Sequence, residues 1–228
     1  MRTGKDLRSA DLRNQDFSGV DFSHVDLSYA DMSGAKLQEA SLVGAMLDHT
    51  ILSGADMSNA NLSGAYLANV NANRVNFTGA NLVQTCFVSA SLRESIFNRV
   101  DLTDARCCGA DFNYADLSSS KLYRTDFTGA RFYKAKFSGA QACDAVFLAA
   151  DLSSTEITST SDADLSGAYR DCAVLQSVRG KHTNRVAARK GPLSKRFTKL
   201  EHTLLRTAGL VLLAIAVIKV IAMEVKYH

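Results

Sequence analysis

The chain has no tryptophan and one proline, Pro192, and only 8% of its 228 residues are aromatic. No C-x-x-C pair occurs, and the cysteines are odd in number: Cys86, Cys107, Cys108, Cys143 and Cys172. That argues against a disulfide framework or a thiolate metal site and fits a reducing compartment. There is no H-E-x-x-H, G-x-S-x-G or P-loop, and His24, His49, His182, His202 and His228 are scattered. The machinery of zinc proteases, serine hydrolases and nucleotide-binding enzymes is therefore missing. Neither an enzymatic activity nor a cofactor is expected. No apolar run precedes residue 5, so a secretory leader is not expected either.

Charge of one sign is scarce in a position-dependent way. Residues 1–160 hold 14 Lys/Arg and 18 Asp/Glu, whereas residues 161–228 hold 12 Lys/Arg and 5 Asp/Glu. The overall charge of +3 thus hides a mildly acidic body and a basic tail. With 46% apolar residues, the composition suits one globular unit plus an appendage.

What is abundant is a period of five. "SGADMSNANLSGAYL", residues 53–67, repeats one phrase three times. Large apolar residues recur from Leu7, Leu12, Phe17 and Phe22 without a slip to Phe147, Leu152 and Ile157. Of these 31 centres, only Ala72, Cys107 and Ala142 are not Leu, Phe, Met or Ile. The residue two before each centre is Ala, Val, Ser or Thr, except at Lys5 and Gln15. All ten glycines before residue 160 fall in one column, the position two after the centres, where a corner of positive φ would select them.

Neither a straight helix nor a strand keeps every fifth residue on one side. A chain that turns a quarter circle every five residues does, and four such segments close a square coil. A small inward residue beside each large one lets four walls meet without a hole. The phrase A-[DN]-L-x-x resembles the pentapeptide-repeat family, whose resemblance implies a right-handed quadrilateral β-helix. The expected fold class is an all-β solenoid of about eight coils, about 37 Å tall at one rung per ~4.8 Å. It is followed by a basic linker and one C-terminal hydrophobic α-helix.

The organisation read from the sequence has five parts. Residues 1–159 form the β-helix. Residues 160–178 restart the phrase out of phase at Ala163-Asp164-Leu165, as a slipped last coil or a capping helix. Residues 179–202 form a linker carrying Arg179, Lys181, Arg185, Arg189, Lys190, Lys195, Arg196 and Lys199, suited to anionic lipid or an acidic partner surface. Only Phe197 supplies an aromatic ring there, so nucleic acid is not the expected partner. Residues 203–223 are apolar on all sides, with Leu204, Leu210, Leu212, Leu213, Ile215, Val217, Ile218 and Ile221, and read as a single membrane span. The rival is a buried helix that joins two copies into a homodimer. Residues 224–228 are a short tail. Because the basic flank lies before the apolar segment, the solenoid is expected on the cytoplasmic or equivalent organellar side.

Function must then lie on the outer walls. Residues on one wall are 20 apart, so each wall reads as a column. The first wall, with centres Leu7, Leu27 and Leu47 onward, carries Met46, Tyr66, Ala68, Cys86, Val88, Cys108, Val146 and Leu148, and is the candidate docking wall. The third wall, with centres Phe17, Leu37 and Met57 onward, is lined by Ser and Thr, with Ile96 its lone outward aliphatic. The second (Leu12, Met32, Leu52 onward) carries Ile51, Tyr114 and Tyr133; the fourth (Phe22, Leu42, Leu62 onward) carries Val43, Val83, Tyr123 and Cys143. Asp6, Asp11, Asp16, Asp21, Asp26 and Asp31 each precede a centre, where backbone hydrogen bonds explain them without catalysis. The leading expectation is a membrane-tethered protein-interaction scaffold, an accessory subunit of a membrane complex or a membrane-targeted secreted effector. The family resemblance also implies an alternative, a soluble dimeric DNA mimic that binds DNA gyrase or another type II topoisomerase. Lys36, Arg106, Lys121, Arg131 and Lys136 interrupt the acidic column that such a mimic needs.

Overall fold

The computed structural model describes residues 7–158 and 174–176. The chain divides into two compact units, Met1–Arg189 and Lys190–His228, and every described residue belongs to the first.

Each unit contributes one residue to a parallel ladder with the unit 20 residues on. The rungs run from Asp11↔Asp31 and Asp16↔Lys36 to Arg131↔Asp151 in unbroken register. The residue before each centre makes the bridge, and the two after it form the turn. In every unit from Ser9 to Ser154 the residue two after the centre has φ between 53 and 71°. A turn whose third residue has positive φ favours glycine, which accounts for the glycine column, from Gly19 to Gly139, over the described residues. Twenty-one other residues accept that conformation, so the corner geometry is imposed by the stacking rather than by glycine alone.

The backbone amides show why the period holds. The centre amide donates to the next coil, as Leu47 does to the Tyr66 carbonyl at 2.7 Å. The residue two later does the same, His49 to Ala68 at 3.1 Å. The following amide closes the turn, Ala60 to Met57 at 3.1 Å, and the bridging amide donates backward, Tyr66 to Ala45 at 2.9 Å. One amide of the five remains, directly after the centre. An Asp or Asn side chain two residues earlier accepts it: Asp26 from Ser28 at 3.0 Å, Asn76 from Thr78 at 3.0 Å, Asp126 from Thr128 at 2.9 Å. This is the local side-chain turn that Asp and Asn favour. The aspartate column is structural on that ground.

The core is a column of centres and small residues, including Leu47, Ala60, Leu67, Ala80 and Phe112, each 1% exposed or less. Phenylalanine rings dominate the later coils and stack along the axis, Phe77 on Phe97 at 4.8 Å and Phe112 on Phe132 at 5.1 Å. They also meet across the core: Phe137 and Phe147 lie 6.2 Å apart, flanking the small centre Ala142 in sequence. Buried hydroxyls in the small-residue column donate to carbonyls, Thr50 to Leu27 at 2.9 Å and Ser95 to Ala72 at 2.6 Å. At the first coil Leu7, Leu12 and Phe17 are only partly buried.

The register changes after Thr155. Strand β1 (Glu156–Thr158) pairs in parallel with β2 (Val174–Gln176), and Ile157 stands opposite Leu175. That offset is 18 residues rather than 20. Leu175 is ten residues after Leu165, where the sequence restarts its phrase. Of the segment read as a slipped last coil or a capping helix, only 174–176 is described, as a strand; residues 159–173 lie outside the described residues.

Candidate interaction surface

Met46, Tyr66 and Cys86 are successive rungs of one ladder on the first wall. Met46 is 36% and Tyr66 55% exposed, and Cys86 is half-buried. Beside them run Ala68, Val88 and Cys108, all partly buried. The apolar column then stops. Arg106 pairs with Cys86, Asp126 with Arg106, and Val146 with Asp126. Val146 and Leu148, 37% and 52% exposed, form a separate apolar spot near the last coils. The eight candidate residues therefore make two patches rather than one stripe.

Cys108 belongs to the polar break. Its thiol donates to Asp126 Oδ2 at 3.1 Å. Burial, followed by the Asp126 hydrogen bond, pushes the thiol up to about 11. Burial alone would raise the Asp126 carboxyl, but the Thr128 side chain and amide, and then Cys108, hold it below its ordinary value. Cys107, fully buried, is raised well above the usual thiol range by desolvation. Neither thiol is poised as a nucleophile.

The structure extends the first patch around a corner in a direction the wall columns did not suggest. Tyr29, 60% exposed at φ 63°, lies flat on the exposed His49. His49 leads into Ile51, 38% exposed at the edge of the second wall. Met46 and Tyr66 thus line one edge of the first wall, and Tyr29 and His49 line its other edge, at the corner that leads into Ile51 on the second. The signal missed in the sequence was an aromatic ring in the corner column, where glycine is cheapest.

The third wall satisfies itself. There Ser18 Oγ donates to Gln38 at 2.9 Å, Gln38 to Asp56 at 2.9 Å, and Asn76 to Asp56 at 3.1 Å. Such a hydrogen-bonded ladder offers little unsatisfied surface to a partner. Among the described residues no cluster of three or more His, Cys, Asp or Glu is placed to hold a metal ion, and no helix is long and apolar enough to cross a membrane. The basic linker, from Arg179 to Lys199, and the apolar segment, from Leu204 to Ile221, lie outside the described residues.

A family profile described as pentapeptide repeats matches eight copies, over residues 6–42, 26–64, 60–99, 90–129 and 100–139. The chain belongs to the pentapeptide-repeat family. With that membership comes the right-handed quadrilateral β-helix expected from the phrase. Among solved structures, this pentapeptide-repeat chain is similar to HetL of the cyanobacterium Nostoc, involved in heterocyst differentiation regulation, at 25% identity over 78% of this chain and 90% of that one, with a TM-score of 0.48. It is similar to QnrB1, a plasmid-mediated fluoroquinolone resistance protein, at 22% identity over 69% and 78%, with a TM-score of 0.45. A pentapeptide-repeat protein of the Arabidopsis thaliana thylakoid lumen is 25% identical over 54% and 74%, with a TM-score of 0.29. No curated protein matches the chain.

Proposed function

We propose that this pentapeptide-repeat chain is a non-enzymatic docking scaffold that presents Tyr29, Met46, His49, Ile51 and Tyr66 to a protein partner. The observation that supports it is that four of the large exposed apolar side chains lie on the first wall and the corner leading off it: Met46 and Tyr66 on successive rungs, Tyr29 stacked on His49, and Ile51 just past the corner. Contiguous apolar surface on a folded domain marks interfaces far more often than scattered residues do. Ala68, Cys86 and Val88 extend the patch, and Val146 with Leu148 forms a second, smaller contact.

The same reading places the scaffold at a membrane. Its support is the sequence of residues 203–223 and the basic segment before them. The partner is then a membrane protein, and the basic segment lies on anionic lipid. Carbonate extraction of membranes tests the anchor: retention in the pellet supports it, and release of the full chain argues against it.

The topoisomerase reading draws on the acidic first coils, where hydrogen bonds from Ser18 and Ser23 hold the Asp16 and Asp21 carboxyls below their ordinary range. Against it stand cations facing several carboxylates: Lys36 lies 3.7 Å from Asp16, Lys121 3.4 Å from Asp101, and Arg124 2.6 Å from Asp104. A surface so neutralised is a poor copy of a phosphate backbone. A gyrase supercoiling assay decides, and inhibition or protection at stoichiometric protein would favour this second reading.

A further inference from the structure

The second wall changes character in its later coils. Arg93 and Arg131 both reach the Asp111 carboxylate, at 3.3 and 2.7 Å. Asp111 itself is 8% exposed, while the two arginine side chains keep 44% and 60% of their surface open. One carboxylate therefore answers two guanidiniums from beneath. Beside them, the Lys134 ammonium lies 5.3 Å from the Tyr133 ring and 5.8 Å from the Tyr114 ring. The two rings meet edge to face at 5.5 Å and are 37% and 46% exposed. Among the described residues no carboxylate lies within ion-pair distance of Lys134 or Lys136.

Tyr114 is held there at a cost. It occupies the left-handed corner, at φ 63°, where glycine would be free of strain. Its wall neighbour also depends on a special bond: the Tyr133 amide donates to Asn113 Oδ1 of the preceding coil at 2.7 Å. The result is a patch with cations and ring faces outward and its counter-charge buried.

We propose that this patch binds a short acidic segment of a protein partner, with carboxylates at Arg131 and Lys134 and an aromatic or aliphatic side chain against Tyr114 and Tyr133. Carboxylate recognition by guanidinium and ammonium groups supplies the charge complementarity, and the rings supply apolar contact and hold the lysine. The segment is short because the positive stretch is. Below it Arg74 is already paired with Glu94 at 3.0 Å, and above it Asp151 stands opposite Arg131 in the ladder. Two or three rungs span about 10–15 Å. A nucleic acid needs a longer basic track, and here it would run onto Asp151.

The test is fluorescence anisotropy with the full chain and a fluorescein-labelled peptide of alternating Glu and Phe. Controls are the same peptide with Gln in place of Glu, and an oligothymidylate. Saturable binding is expected for the Glu peptide, about five- to tenfold weaker in Lys134→Gln and in Tyr114→Gly. Glycine suits the Tyr114 corner, so that variant keeps its fold, which a thermal melt checks. Tyr66→Asp, on the other wall, leaves the affinity unchanged and separates this site from the docking patch. Binding of the Gln peptide equal to that of the Glu peptide overturns the proposal, as does binding indifferent to both Lys134→Gln and Tyr114→Gly. Tighter binding of the oligothymidylate would reassign the patch to nucleic acid.

Discussion

Tyr29 lies flat against His49, with ring centroids 4.9 Å apart and planes 4° from parallel. Both residues sit in the left-handed corner column, at φ 63 and 58°. A large ring there is strained and open to solvent, and neither the core nor the ladder needs it. Replacing it with glycine relieves backbone strain, of order 1 kcal/mol, and removes the aromatic face. Tyr29→Gly is therefore expected to melt at or above the wild-type temperature while losing partner binding. Circular dichroism and a binding assay on the same preparation check both halves.

Tyr66→Asp makes the opposite trade on the flat of the wall. Asp26 and Asp126, in the same column, accept the amide two residues on at 3.0 and 2.9 Å. Tyr66 has no carboxylate with which to do so for Ala68. An aspartate there restores the missing bond, worth about 0.5–1.5 kcal/mol, and charges the docking patch. The variant should be slightly more stable and bind its partner less well. A lower melting temperature would contradict the bookkeeping of amides given for the repeat.

These two residues also show how far the sequence could be read. The period, the glycine column and the inward pairs dictate the coil, because each coil reuses the same five backbone roles. The aspartate column was legible as structural for the same reason. The corner ring of Tyr29 was not, because a column average hides a single residue whose neighbour, His49, comes from the next coil. The split of the first wall was hidden too: Arg106 and Asp126 are ordinary surface residues until the ladder places them between Cys86 and Val146. After Ile157 the sequence left a slipped last coil and a capping helix open; the strand at 174–176 pairs with 156–158 at an offset of 18 residues, and residues 159–173 lie outside the described residues.

Ser95 is a buried polar residue with two backbone partners in the core. Its hydroxyl donates to the Ala72 carbonyl at 2.6 Å and accepts from the Val75 amide at 3.1 Å, fully buried. Ser95→Ala leaves both groups without a partner, at about 1–3 kcal/mol for each buried group so exposed. Chemical denaturation should show a loss of that size, against a near-neutral Ser138→Ala on the exposed third wall.

Acid should destabilise the solenoid. The Arg13 side chain holds the Asp11 carboxyl at about 2, and hydrogen bonds from Ser18, Ser23 and Arg124 lower Asp16, Asp21 and Asp104. An unfolded aspartate titrates near ~3.9, so on acidification the unfolded chain takes up protons first. The stabilisation is complete above about pH 5 and is lost as the pH falls through roughly 4 toward 2. Melting temperatures should be flat, as far as these carboxyls contribute, from about pH 5 to 8 and fall steeply below about 4. A maximum near pH 4 would contradict this assignment.

The central claim is that the first wall docks a protein partner. The most direct measurement is site-specific photo-crosslinking in cells, with the photoreactive residue placed at Tyr66 or, as the control, at the exposed Ser138 of the third wall. A discrete adduct from position 66, absent from position 138 and abolished by Val88→Asp or Tyr29→Gly in a folded chain, is the predicted result. Equal adducts from both positions, or an adduct from 66 that survives both substitutions, would contradict it.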